Sequence, residues 1–156
     1  MKFVLDLHRP CDEPGLPARA ELERWLGLAV LAERLPEARL ALAVVDEEEG
    51  RRLHARHLGG RRASNVLAFP PAPPVPRAFL GDLVLCAPVV AREARRQQKS
   101  LEAHYAHLVL HGFLHLLGYR HERTTERRRM ERRERALLAA LGYPDPYRPS
   151  ARSARG

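Results

Sequence analysis

The sequence predicts an α+β domain, a small mixed β-sheet of about four strands packed with about five helices. Three observations lead there. Four short apolar runs, alternating or β-branched, lie within the first 86 residues. Three of the five segments with helical character follow the last of those runs. A chain of 156 residues suits one domain with one core.

Residues 2–7 alternate and read as the first strand. Pro14, Gly15 and Pro17 then break the chain into a turn. Over residues 18–35, Leu22, Trp25, Leu26, Ala29 and Val30 recur at helical spacing, and Pro36 ends that helix. Residues 39–45 form a buried strand. Asp46 is placed to cap a short helix starting near Glu47. Gly59 and Gly60 open a loop carrying Arg61 and Arg62. Residues 65–69 form a short strand, and the proline-rich stretch 70–76 is a stiff extended loop. Residues 80–86 are the last strand, with Asp82 its charged exception: a buried hydrogen-bond partner or a cleft residue. Helices follow over 88–98, 101–117 and 124–141. Residues from 143 onward are rich in proline and serine and read as a tail.

The net charge is +8 and the pI about 10.4. It is unevenly spread: residues 1–50 hold 6 basic and 11 acidic side chains, and the remainder carries a net +13. Such polarity suits a protein presenting one face to phosphate, or a soluble chain whose charges segregate. Cys11 and Cys86 are the only cysteines, which predicts no disulfide framework, no disulfide-linked partner and a reducing, cytoplasmic setting. No stretch approaches the ~20 apolar residues of a membrane span, so no membrane partner is expected. The early Asp6 argues against a signal peptide.

The chemistry concentrates in His111-Gly112-Phe113-Leu114-His115-Leu116-Leu117-Gly118-Tyr119-Arg120-His121. His111 and His115 are four apart and share a helix face, so two imidazoles can converge on one ion. Gly118 suits a left-handed turn that reverses the chain and returns His121 to the pair. Three histidines leave a fourth tetrahedral position open, the layout of a catalytic rather than structural zinc. His107, four before His111, offers a competing pair, and His104 shares the same helix. The spacing H-x-x-x-H-x-x-G-x-x-H is that of the metzincin zinc helix and turn. Metzincins place a general-base Glu directly after the first His; Gly112 stands there, which argues against peptide hydrolysis.

Several motifs resemble the YbeY family of zinc-dependent endoribonucleases and ribosomal RNA maturation factors. They are the histidine stretch, Ser64-Asn65-Val66-Leu67-Ala68-Phe69-Pro70, Leu80-Gly81-Asp82-Leu83-Val84-Leu85-Cys86, Gln98-Lys99-Ser100-Leu101-Glu102-Ala103-His104 and Met130-Glu131. The likeness runs from about residue 46 to residue 147. It implies a single domain over residues 1–147 and a basic C-terminal tail over 148–156. It also implies one Zn²⁺ per chain on His111, His115 and His121, with a cleft above the metal. The activity implied is single-strand-specific cleavage of RNA in 3′-end maturation of 16S ribosomal RNA and in ribosome quality control. The implied partners are the small ribosomal subunit and its assembly factors.

Two positions depart from the family pattern. Arg120 precedes the third histidine where the family has Asp, and Leu58 stands where it has Arg. Arg56, Arg61 and Arg62 are the candidates for catalytic phosphate contact in its place, and Arg61, Arg62 and Arg120 for RNA binding. Residues 120–135 hold eight Arg and four Glu and read mainly as an exposed helix laced with ion pairs. Met130 reads as core, with a place beneath the metal as the alternative. A general base is not visible in the motif, so water or the ribose 2′-hydroxyl can be the nucleophile. Two other functions stay open: a non-catalytic assembly factor that binds ribosomal RNA, and a zinc hydrolase of another substrate.

Overall fold

The computed structural model describes residues 2–58 and 65–148. Its elements run β1 (Lys2–His8), α1 (Arg19–Ala32), β2 (Glu37–Val45), α2 (Glu47–Leu58), β3 (Val66–Phe69), β4 (Phe79–Cys86), α3 (Ala87–Arg96), α4 (Leu101–Leu116) and α5 (Thr124–Leu141). The expected α+β class and mixed sheet are thus present. The strand order is β1-β2-β4-β3. β1 and β4 run parallel to β2, and β3 is antiparallel to β4 at the sheet edge.

Period-two alternation decides which face of the sheet is covered. Leu40, Leu42 and Val44 of β2 and Leu83 and Leu85 of β4 point to one side, into a core shared with α1 and α4. Trp25, Leu22 and Leu26 of α1, and Tyr105, Leu110, Phe113 and Leu114 of α4, fill it. The other side is only partly covered: Leu53 of α2 packs on Val45, Leu67 and Val84. Helix α4 is buried nearly all round, as a central helix must be. It contacts α1, α3, α5, β3 and β4.

Local signals set the helix starts. The Asp46 carboxylate accepts from the Glu49 N–H at 2.9 Å, as the capping reading expects, although α2 extends through Leu58. Ser100 caps α4, accepting from the Ala103 N–H at 3.1 Å. Residues 143–148, read from the sequence as the start of a tail, are docked instead. Arg135 binds the Asp145 carboxylate through both oxygens at 3.2 and 3.1 Å. Lys99 Nζ donates to the Pro146 carbonyl at 2.8 Å. Composition marked these residues as irregular, but irregular backbone can still be anchored by side-chain bonds.

Candidate metal centre and cleft

His111 and His115 lie on successive turns of α4, their ring centroids 4.6 Å apart. The helix then ends in a Schellman turn. Gly118 has φ +99°, its N–H reaches the His115 carbonyl at 3.0 Å, and the Tyr119 N–H reaches the Leu114 carbonyl at 3.0 Å. This reversal returns His121 to the pair, with its ring 4.6 Å from His115 and 5.7 Å from His111. The Tyr119 hydroxyl fixes the turn by donating to Glu33, the residue that follows α1, at 3.1 Å, and Arg133 of α5 donates to the same carboxylate at 3.0 Å. One ring nitrogen from each of the three histidines lies within 4.8 Å of the others. A tetrahedral zinc with bonds of 2.0–2.1 Å would need them roughly 3.4 Å apart, a closing movement of two part-buried imidazoles and the exposed His121 ring.

These residues open into a cleft of about 760 Å³. The β3 edge (Asn65, Val66, Leu67, Ala68) forms one wall, and Arg120 and Tyr147 lie on its rim. The Asn65 amide donates to Glu93 at 3.0 Å, and His104 shares that carboxylate oxygen at 3.0 Å. His104 is therefore a buried structural histidine that ties α4 to α3 behind the cleft wall.

Burial, reinforced by His111 and His121 nearby, holds the His115 imidazole down at about 4. It is neutral at physiological pH, the form that ligates metal. Glu134 of α5 is 0% exposed and meets His111 Nδ1 at 2.7 Å, His107 Nε2 at 3.2 Å and the Tyr147 hydroxyl at 2.5 Å. Burial alone would raise its carboxyl, but these hydrogen bonds outweigh that and hold it at about 2. His107, His111 and Glu134 are a second group close enough to share an ion. Direct hydrogen bonds already join its facing atoms, and its carboxylate is closed to solvent.

Residues 120–135 are mainly the exposed, ion-paired run that their composition predicts, and Glu134 is the exception. Arg127 and Arg135 do pair with Glu131 along the outer face, at 3.7 and 3.6 Å. Glu134, however, lies four residues from both Met130 and Leu138, on the buried stripe of α5. That spacing was the available signal. Met130 is core, as expected, and also lines a small hollow with His111, His121 and Glu134.

Asp82 is on the opposite sheet face, in an open groove with Asp6, His8 and Arg19, and burial raises its carboxyl. It does not line the histidine cleft. Arg56 is exposed on α2 and is absent from the described lining of the cleft. Arg61 and Arg62 fall outside the described residues. Gly112 faces the sheet: a Cβ there would meet Leu83 Cδ2 at 2.7 Å and Val66 Cγ2 at 3.3 Å. The position after the first histidine thus points into the core, where no side chain could act as a base.

The family model described as endoribonuclease YbeY matches residues 16–142. The chain belongs to the YbeY family. A relative named endoribonuclease YbeY from Stutzerimonas stutzeri is 50% identical over 150 residues, covering 92% of each chain. One of the same name from Stenotrophomonas maltophilia is 52% identical over 139 residues, covering 85% of this chain and 86% of its own. A solution structure of a Thermotoga maritima protein superposes on this YbeY-family fold with a TM-score of 0.58 at 21% identity, covering 95% of this chain and 99% of its own. No helix among the described residues is long and apolar enough to cross a membrane.

Proposed function

We propose that this YbeY-family protein is a zinc-dependent endoribonuclease specific for single-stranded RNA. Its role in this reading is 3′-end maturation of 16S ribosomal RNA and ribosome quality control in the cytoplasm, with the small subunit and its assembly factors as partners. The observation that carries the reading is the convergence of His111, His115 and His121 in the lining of a cleft of about 760 Å³. The relatives' shared name, endoribonuclease, supports the reaction class.

The donor set fits one zinc ion: three imidazoles, His115 held neutral, His111 oriented by a carboxylate, and an open side toward the cleft. Zinc there supplies a Lewis acid that acidifies a water or polarises a phosphoryl oxygen. Arg120, which lines the cleft, presents a guanidinium to the phosphate, and Arg61 and Arg62 are assigned the same role from their charge. Asn65 to Ala68 supply an open edge along which an extended strand can lie. Glu134, saturated and sealed, holds a ligand and does not abstract a proton from substrate. RNA binding rests on the net +13 of residues 51–156.

The departures at Arg120 and Leu58 favour a second reading, a zinc-containing assembly factor that binds ribosomal RNA without cutting it. Cleavage of single-stranded RNA by highly purified protein beside His111→Ala separates the two. The proposal expects cutting by the wild type and none by the variant. Equal cutting by both would expose a contaminant, and tight RNA binding with no cutting would establish the second reading. A 2′,3′-cyclic phosphate on the product would identify the ribose 2′-hydroxyl as nucleophile.

A further inference from the structure

Each of the last two helices ends in the same three residues, Leu117-Gly118-Tyr119 and Leu141-Gly142-Tyr143. Each makes the same turn. Gly142 has φ +90°, its N–H reaches the Ala139 carbonyl at 3.0 Å, and the Tyr143 N–H reaches the Leu138 carbonyl at 2.9 Å. The first turn delivers His121 to the metal centre. The second sends residues 143–148 back over α4 and α5 and brings the Tyr147 hydroxyl to Glu134, the partner of His111 Nδ1.

That return path is anchored at every step. Trp25 Nε1 donates to the Tyr143 hydroxyl at 3.1 Å, Arg135 grips Asp145, and Lys99 holds the Pro146 carbonyl. Asp145 also accepts from the Tyr147 N–H at 2.8 Å, which fixes where the ring leaves the backbone. The Tyr147 ring packs edge-on against His107, with centroids 5.3 Å apart. Its hydroxyl donates to Glu134 Oε2, leaving Oε1 for the two histidines.

We propose that Glu134 and Tyr147 are positioning residues of the metal centre, with Tyr147 locking the carboxylate that fixes the ring orientation and tautomer of His111. Glu134 is an acceptor, so each histidine nitrogen facing it must carry a proton. His111 therefore holds its proton on Nδ1 and turns Nε2 to the metal. His107 holds its proton on Nε2, and its remaining nitrogen, Nδ1, is a buried atom with no hydrogen-bond partner. His107 thus serves as a donor to the lock and is excluded as a ligand, which resolves the ambiguity between the His107/His111 and His111/His115 pairs. The C-terminal segment is part of the metal centre.

The inference rests on the zinc reading above, and its test separates the two. Tyr147→Phe removes one oxygen and keeps the ring against His107; Glu134→Gln keeps volume but loses the acceptor pair. Zinc affinity is measured by competition with a chromophoric chelator, well below the melting temperature. The His111 and His107 tautomers are read from long-range ¹H–¹⁵N spectra of the zinc-free wild type. The expected result is Nδ1–H at His111 and Nε2–H at His107. Zinc should bind roughly 10–100-fold more weakly to Glu134→Gln and roughly 3–10-fold more weakly to Tyr147→Phe. Should Glu134→Gln fail to fold, Tyr147→Phe decides. A Tyr147 that merely braced the fold would lower the melting temperature and leave zinc affinity within twofold of wild type; that result, or Nε2–H at His111, overturns the inference. If the wild type binds no zinc, the functional reading fails, and the tautomers still decide this one.

Discussion

Replacing Gly112 by alanine tests how closely α4 is set against the sheet. In an ordinary helix interior the change stabilises by about 1 kcal/mol, because glycine gives up more backbone freedom than alanine. Here the new Cβ would lie 2.7 Å from Leu83 Cδ2 and 3.3 Å from Val66 Cγ2, against an optimal carbon–carbon separation of about 3.5–4.0 Å. Leu83 is 0% exposed and cannot swing into solvent. Overpacking of this kind costs about 1–3 kcal/mol, so the net change should be a loss of up to about 2 kcal/mol. At about 2–4 °C per kcal/mol for a chain of this size, the melting temperature should fall by several degrees. Thermal unfolding followed by circular dichroism, with chelator present so that metal does not contribute, measures it. In a Leu83→Ala background the closer obstruction is gone, leaving only Val66 Cγ2 at 3.3 Å, and Gly112→Ala should become near neutral or stabilising. A wild-type background in which Gly112→Ala raises the melting temperature would refute the close approach. So would an equal effect in both backgrounds.

Elemental analysis should find one zinc per chain, lost in His111→Ala, His115→Ala and His121→Ala and retained in His107→Ala; full zinc in His121→Ala would break the assignment. RNA affinity should fall steeply with salt, and charge reversal at Arg61 and Arg62 should weaken it without removing zinc; a salt-independent affinity would contradict this. Arg120→Asp should tighten zinc by removing a like charge, Leu58→Arg should raise turnover, and the pair together should increase cleavage, read from zinc affinity and cutting rate in all three variants. Zinc-free protein should lose stability on acidification in two stages. Unfolded His115 takes up a proton near its ordinary 6.5 while the folded form resists until about 4, so stability falls through that window. Glu134, held at about 2 against an ordinary 4.5, adds a further loss from 4.5 downward. Melting temperatures from pH 7 to pH 3 check both, and His115→Gln should flatten the upper stage.

The sequence alone determined what depends on neighbours along the chain. Helical spacing puts His111 and His115 on one face, and a glycine after the last apolar residues forces the reversal that returns His121. Strand alternation and helix periodicity likewise settled the α+β class. Most ends moved by a residue or two where capping and strand pairing, rather than hydrophobic period, set the limit; α1 stops at Ala32, three residues before the expected end, because the chain turns at Glu33 and Arg34 before it reaches Pro36. Tertiary structure decided every partnership between distant residues. Glu134 meets His111 only because α5 lies against α4, and Tyr147 reaches Glu134 only because residues 143–148 fold back over both helices. Asp82 was ambiguous because a strand period defines two faces without saying which one a helix will cover; α4 took the face of Leu83 and left Asp82 on the other. His104 and His107 shared a helix with the ligand candidates, and periodicity could not rank them. Glu93 in one case and Glu134 in the other, each brought from a different helix, fixed what those nitrogens do. Spacing along the chain sets which side chains leave a helix together, and packing between helices sets what they meet.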